Sequence, residues 1–185
     1  YTKNKTLAAA VRHYVNALFG NEGLVVVDAD DHDLKRLFKP VIEKDVLQNS
    51  TLALVKETNK GLSDLGYKTQ VFCRDINFFY LDKNIRGRIA RQEDRYVVLD
   101  TNLSFTEEEI RKMIDNEPEK FSPNVILRPL YQEMILPNLA YVGGPAENIY
   151  WLQLKNVFDH FNITFPMLMP RNFGMIIDHT VDRKL

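Results

Sequence analysis

The sequence contains one cysteine, Cys73, one tryptophan, Trp151, and only eight glycines and eight prolines in 185 residues. A single cysteine excludes an intramolecular disulfide framework and any zinc site built on several thiolates. The four histidines, His13, His32, His160 and His179, are scattered. No two stand at the His-x-x-x-His spacing of a helical metal site, so the residues carry no metal-ligand set. No apolar run is long enough to cross a bilayer and no signal peptide opens the chain. An excess of charge is missing too: 24 Lys and Arg stand against 25 Asp and Glu, a formal net charge of −1. That balance removes the simplest electrostatic basis for binding nucleic acid or an acidic membrane surface. An initiating methionine is also lacking, since the chain opens on Tyr1 and runs directly into an amphipathic segment. The expectation is a piece of a longer cytoplasmic protein.

What is present fits a globular domain. Hydrophobic residues make up 45% of the chain and charged residues 26%, and 185 residues suit one domain or one and a fraction. Leu7, Val11, Tyr14, Val15, Leu18 and Phe19 recur at helical spacing over residues 6–19, with Gly20 placed to end the helix. Gly23-Leu24-Val25-Val26-Val27-Asp28 is apolar and β-branched without alternation, which predicts a strand buried on both faces. A helix follows over 33–38, with Asp30 or Asp31 as its cap. Pro40 opens a new first turn, and a helical pattern runs over 41–65 to Gly66, with a possible interruption at Lys60-Gly61. Residues 76–81, 86–90 and 95–99 read as an antiparallel meander. Ser104-x-x-Glu107 reads as a capping box before a helix over 106–116. The last third returns to alternation: a helix over 128–136, a buried strand over 138–142, a Gly143-Gly144-Pro145 turn, a helix over 147–161, a strand over 165–169, and a further apolar stretch at 175–177. The expected architecture is α/β, a parallel sheet with flanking helices. Residues 1–70 and 104–185 form its core, and 71–103 form a small antiparallel β insertion.

Three stretches carry candidate chemistry. At Tyr141-Val142-Gly143-Gly144-Pro145-Ala146-Glu147 a strand meets a helix through two glycines and a proline. Free N–H groups and the helix dipole at such a junction favour an anion, although the same turn serves plain packing, and it matches neither common phosphate fingerprint. Asn124, Arg128 and Gln132 share one face if their segment is helical, and an amide–guanidinium–amide stripe holds carboxylate or phosphate. Pro129 places Arg128 at a bend in that segment. Asp28, with Asp30 and Asp31, follows the first strand, where carboxylates bind a ribose, an amine or a metal, or simply cap a helix. Cys73 beside Arg74 and the Tyr150-Trp151 pair read as packing residues. The sequons at Asn4, Asn49, Asn102 and Asn162 have no secretory signal to give them meaning.

These residues resemble a known family, the cysteine-adding enzymes of bacillithiol synthesis, the BshC family. The resemblance is carried by Gly23-Leu24-Val25-Val26-Val27-Asp28, by Arg74-Asp75-Ile76-Asn77-Phe78-Phe79-Tyr80-Leu81, and by the block 121–133. It is strongest in Leu136-Pro137-Asn138-Leu139-Ala140-Tyr141-Val142-Gly143-Gly144-Pro145-Ala146-Glu147, continued by Tyr150-Trp151 and later Arg171-Asn172. It extends over residues 6–178. The family's turn commonly reads Gly-Gly-Pro-Gly-Glu, and Ala146 departs from it, as Asn148-Ile149 departs from the smaller residues usual there. The resemblance implies a Rossmann-like core related to class I aminoacyl-tRNA synthetases, with the meander as part of a connecting-peptide insertion. It implies addition of L-cysteine to glucosaminyl-malate by amide formation, with ATP, accompanied by Mg2+, activating the cysteine carboxylate. It also implies a homodimer through a C-terminal coiled coil and an earlier half of the nucleotide fold, both outside these residues, so that the 185 residues alone are expected to be inactive. Under it, Asn124, Arg128, Gln132, Gly143, Gly144, Glu147 and Asp28 are candidate substrate- or nucleotide-binding residues. Another adenylate-forming ligase or nucleotidyltransferase of this fold, or a non-catalytic binding module that retains it, are the other readings.

Overall fold

The computed structural model describes residues 4–174 and Ile177. The chain divides into two compact units, Tyr1–Asn49 with Asp75–Asn124, and Ser50–Arg74 with Val125–Leu185.

In the first unit, α1 (Leu7–Phe19) starts where the Thr6 hydroxyl accepts the Ala9 N–H at 3.2 Å. Gly20 does not take the left-handed conformation expected of it. Its φ is −60°, the chain continues through a short 3-10 turn, and the residue at φ +79° is Gly23. The strand expected over residues 23–28 does not form. Val25 is 73% exposed, and no described residue pairs with the run. Apolar β-branched composition favours a strand only when a neighbour supplies the ladder, and composition cannot supply the neighbour. Asp31 caps α2 (His32–Leu37), accepting the Asp33 and Leu34 N–H groups at 3.0 and 3.2 Å. The long helix expected over 41–65 is two helices. α3 (Lys39–Gln48), with Pro40 in its first turn, stops at Asn49 in the left-handed region, φ +51°. The break is there and not at Lys60-Gly61, which lies within α4 (Ser50–Asp64), and asparagine tolerates the left-handed conformation that ends α3.

The strands β1 (Phe78–Asp82), β2 (Ile85–Gln92), β3 (Arg95–Val98), β4 (Ser104–Phe105) and β5 (Phe121–Pro123) form one antiparallel sheet in the order β4-β3-β2-β1-β5. The largest sheet is therefore antiparallel, where a parallel one was expected. The meander was legible, but β4 and β5 hold two and three residues, too few to show a period. Phe78, Tyr80, Ile89, Tyr96, Val98 and Phe121 are buried on one face. Phe38 lies tilted against Phe78, with ring centroids 5.9 Å apart and planes at 54°. α5 (Glu107–Asn116) packs on the same sheet and on α3 through the fully buried Ile110 and Ile114. Its capping box is Thr106 with Glu109, not Ser104 with Glu107. Ser104 is committed to β4, where it pairs with Val97. Buried Asp45 ties α3 to the start of the sheet, accepting the Asn77 backbone N–H at 2.7 Å and its side-chain amide at 3.2 Å.

The second unit holds α4 (Ser50–Asp64), α6 (Arg128–Ile135), β6 (Ala140–Gly143), α7 (Pro145–Leu152), α8 (Lys155–His160) and β7 (Met167–Pro170). β6 and β7 pair in parallel, Ala140 with Met167 through Gly143 with Pro170, joined by the α7–α8 crossover. The helix expected over 147–161 is interrupted at Gln153 and Leu154. Gln153 is wholly buried. Its side-chain Oε1 accepts the Gln70 and Val71 N–H groups at 2.8 and 3.2 Å, and its Nε2 donates to Asn59 Oδ1 at 2.7 Å. Trp151 anchors the core, stacked on Tyr141 with centroids 4.0 Å apart and edged by Phe158 and Phe165. Of the stretch 175–177, Ile177 lies outside any strand; the rest of it and His179 lie outside the described residues.

Candidate functional site

The end of β6 and the start of α7 bring together most of the polar groups singled out in the sequence. Gly143 is buried, and a Cβ there would stand 2.6 Å from Asn148 Oδ1 and 2.7 Å from a Tyr141 ring carbon. Only glycine permits so close an approach. Gly144 precedes the helix with φ −68° and ψ 168°, and Pro145 opens the first turn. The Gly144 N–H donates to Glu147 Oε2 at 2.7 Å. That acidic side chain thus takes one of the donors that an anion would use, leaving the N–H groups of Ala146 and Glu147 without intrahelical acceptors.

β7 ends beside β6, since parallel strands finish at the same edge. The Arg171 N–H donates to the Gly143 carbonyl at 2.9 Å. Its guanidinium reaches the turn: a Cβ on Gly144 would lie 3.3 Å from Arg171 Nη2. From α6, Arg128 donates to Gln132 Oε1 at 3.0 Å and approaches the Tyr150 hydroxyl at 3.4 Å. The Gln132 amide donates to Glu133 at 3.0 Å, and buried Glu133 accepts the Asn138 backbone and side-chain N–H groups, each at 2.9 Å. The Tyr141 phenol is pushed above its ordinary range, first by burial and then by the neighbouring Tyr150 and Glu147, with Arg128 acting the other way. Arg128, Tyr141, Glu147 and Tyr150 therefore share one electrostatic environment. Neither Arg128 nor Arg171 makes an ion pair among the described residues. Two guanidiniums beside a strand-to-helix turn suit a carboxylate or phosphate.

Of the sequence candidates, Arg128, Gln132, Gly143, Gly144 and Glu147 lie in this second unit, and Asn124 and Asp28 lie in the first. The three-residue stripe is not one helix face. α6 begins at Arg128 with Pro129 in its first turn, so only Arg128 and Gln132 share it. Asn124 donates its amide to Asn77 Oδ1 at 3.1 Å and its N–H to the Asn77 carbonyl at 2.9 Å. Asp28 accepts the Asp30 N–H at 3.0 Å and faces Arg12 at 3.8 Å. Reasoning on local patterns missed Arg171, Tyr141 and Tyr150 as members of the group. Arg171 had a signal, being the first residue past a strand whose parallel partner ends at the glycine turn. Among the described residues no group of three His, Cys, Asp or Glu side chains is placed to hold a metal ion, and no helix is long and apolar enough to cross a membrane.

A mixed α/β domain with polar groups gathered at the carboxyl ends of a short parallel strand pair is the class that fold and site define. Residues 1–172 match the family model described as bacillithiol biosynthesis BshC, N-terminal Rossmann-like domain. The chain belongs to the BshC family. It is 51% identical over 172 residues to a protein of Flavobacterium johnsoniae named "Putative cysteine ligase BshC", a match covering 93% of this chain and 32% of that one. Proteins of the same name from Cytophaga hutchinsonii and Salinibacter ruber are 48% and 33% identical, covering 96% and 100% of this chain and 34% of each relative. The chain thus spans about a third of the length of these relatives.

Proposed function

We propose that this chain contributes a substrate-binding part of a ligase that adds L-cysteine to glucosaminyl-malate through an amide bond, at the expense of ATP. Family membership and the relatives' names support a cysteine ligase of bacillithiol biosynthesis. The observation that carries a role for these residues is the presence of Arg128 and Arg171, without carboxylate partners among the described residues, in the unit that holds the β6–α7 turn. Both ATP and glucosaminyl-malate are anionic, and guanidiniums match carboxylate and phosphate in a bidentate manner. ATP, with Mg2+, would supply the activation of the cysteine carboxylate. The donor set fits a phosphate or carboxylate at the rim of the turn, but not one seated on the Gly144 N–H while Glu147 holds it.

In this reading Arg128 neutralises a carboxylate or phosphate, and Gln132 fixes the plane of its guanidinium. Arg171 presents a second cation over Gly144. Glu147 orients an amine or a ribose hydroxyl, its carboxylate being an acceptor held at the turn by the Gly144 N–H. The work is positioning and charge stabilisation, which amide formation from an activated acid chiefly requires. Calorimetry on the full-length protein with ATP, cysteine and glucosaminyl-malate, together with mass spectrometry of the product, tests it. Arg128→Ala and Gly144→Val are each expected to weaken one of these ligands at least tenfold. Unchanged affinity for all three in both variants overturns the assignment of these residues. A different amide product overturns the substrates but not the site.

A further inference from the structure

Glu133 is a buried carboxylate without a cation. It is 2% exposed, and among the described residues no Lys, Arg or His forms an ion pair with it. Burying such a charge is costly unless hydrogen bonds replace its water. Neutral donors do so here. Oε1 accepts the Gln132 amide at 3.0 Å and the Asn138 amide at 2.9 Å, and Oε2 accepts the Asn138 backbone N–H at 2.9 Å. Only an ionised carboxylate offers acceptors on both oxygens and no donor. The Gln132 amide, by contrast, has one donor end and one acceptor end. Its Nε2 is committed to Glu133, so its Oε1 faces the other way, where it accepts Arg128 Nη1 at 3.0 Å. The buried end of this chain of bonds therefore decides what its exposed end presents to the guanidinium.

We propose that Glu133 is a positioning residue: it fixes the sense of the Gln132 amide and thereby holds the Arg128 guanidinium in the orientation that receives an anion. The binding half of this inference rests on the role given to Arg128 above. The same carboxylate ties α6 to the entry of β6, since Asn138 stands two residues before Ala140. Glu133→Gln separates charge from shape, because its outcome is forced. The Asn138 backbone N–H cannot turn, so the oxygen of the new amide stays opposite it and the NH2 falls where Oε1 stood. There it meets two donors. The Asn138 amide is held by the Leu136 carbonyl at 2.8 Å. The Gln132 amide is the one that turns, and turning aims its own NH2 at Arg128, donor against donor.

Calorimetry on the full-length protein with ATP, cysteine and glucosaminyl-malate, beside crystal structures of the variants, tests the relay. Glu133→Gln is expected to weaken the ligand that Arg128→Ala weakens by about tenfold, the effect of one hydrogen bond to a charged group. In its structure Arg128 should leave hydrogen-bond reach of Gln132. Gln132→Ala keeps the bonds between Glu133 and Asn138 and is expected to give a similar loss of affinity. Adding Glu133→Gln to Gln132→Ala should then weaken binding no further, while still lowering the thermal midpoint. A merely structural Glu133 would lower affinity whether or not Gln132 is present. Losses of affinity that multiply in the double variant overturn the relay, and so does an Arg128 that stays on Gln132 in Glu133→Gln. Gln132→Glu gives the new NH2 of Glu133→Gln an acceptor, so combining the two should raise the midpoint above that of Glu133→Gln, even if the latter folds poorly. A midpoint lowered further overturns the relay. Unchanged affinities in Arg128→Ala, with Arg128 displaced in Glu133→Gln, would uphold the relay and remove the binding role of Arg128.

Discussion

Glu147 Oε2 accepts the Gly144 N–H at 2.7 Å, so the acidic side chain of the family's glycine turn is turned back on its own helix. This is one arm of a capping box without the other, since glycine has no side chain to return the bond. Glu147→Ala should cost about 1 kcal/mol of stability in urea denaturation, the usual worth of a cap, while Glu147→Gln, which keeps an acceptor oxygen, should cost less than half of that. The charge has a second consequence. In the proposed role the carboxylate serves an amine or a ribose hydroxyl directly, so Glu147→Gln should weaken binding of cysteine or ATP several-fold in calorimetry. Tighter ATP binding in that variant would mean that the carboxylate instead repels a phosphate approaching the turn.

Asp45 is fully buried and accepts both the backbone and side-chain N–H groups of Asn77. A charged acceptor strengthens such bonds, and removing it leaves two donors stranded in the core. Asp45→Ala should therefore destabilise the chain by about 3 kcal/mol. Asp45→Asn keeps an oxygen for one donor and should fall between the two. Asn77→Ala keeps the backbone N–H bond and loses only the side-chain one, so it should cost less than Asp45→Ala, and the double variant should fall short of the sum because the two share that side-chain bond. Denaturation midpoints of the four proteins decide it.

How far the sequence carried this picture depended on where the information lay. The three strands of the meander, the Asp31 cap and the Pro40 turn came through because each is written in neighbouring residues. The α5 helix was legible for the same reason, although its capping box sits two residues later than the first Ser-x-x-Glu pattern suggests. Residues 24–28 failed as a strand because pairing is a property of two segments. β5 was invisible because Phe121-Ser122-Pro123 offers three residues and ends on a proline, tolerable only at an edge. At the site, the glycine turn and Arg128 were read from local spacing. Arg171 and Tyr141 join them only through the parallel pairing of β6 with β7 and the burial of Trp151, which no local pattern encodes. Asn124 looked like a partner of Arg128 because an i, i+4 relation was assumed across a segment that becomes helical only at Arg128.

Gly87 provides a test of sheet packing. It lies in β2, where a Cβ would stand 2.3 Å from Val98 Cγ1 and 3.1 Å from the Leu99 carbonyl oxygen. Val98 is buried, so neither atom retreats without moving the sheet. Gly87→Ala should destabilise by about 1–3 kcal/mol as an overpacked site. Adding Val98→Ala to that variant should restore part of the loss, and the double-mutant cycle should show a clearly favourable coupling. Independent, additive costs would show that the strain is relieved elsewhere.

Buried Tyr80 and Tyr96 and half-buried Tyr141 should set the alkaline limit of the fold. Burial is the chief cause pushing the phenols of Tyr80, Tyr96 and Tyr141 above their ordinary range, and Tyr141 is pushed further by Tyr150 and Glu147. A phenol carries charge only when deprotonated. With its folded pKa above the unfolded one, it favours the native state as long as both forms are neutral. Once the pH passes the unfolded value, near 10, the unfolded chain ionises and gains while the native phenol resists. The contribution is therefore complete below about pH 10 and is lost as pH rises through the folded values. Urea midpoints should hold steady up to about pH 9 and then fall over the next two units. Tyr141→Phe removes one titrating group and should make that fall shallower, whatever it does to the midpoint at neutral pH. A spectrophotometric titration should show the phenols of Tyr80, Tyr96 and Tyr141 ionising at higher pH in the native protein than in the urea-unfolded chain. A slope unchanged in Tyr141→Phe would place the alkaline transition in Tyr80 and Tyr96, within the first unit.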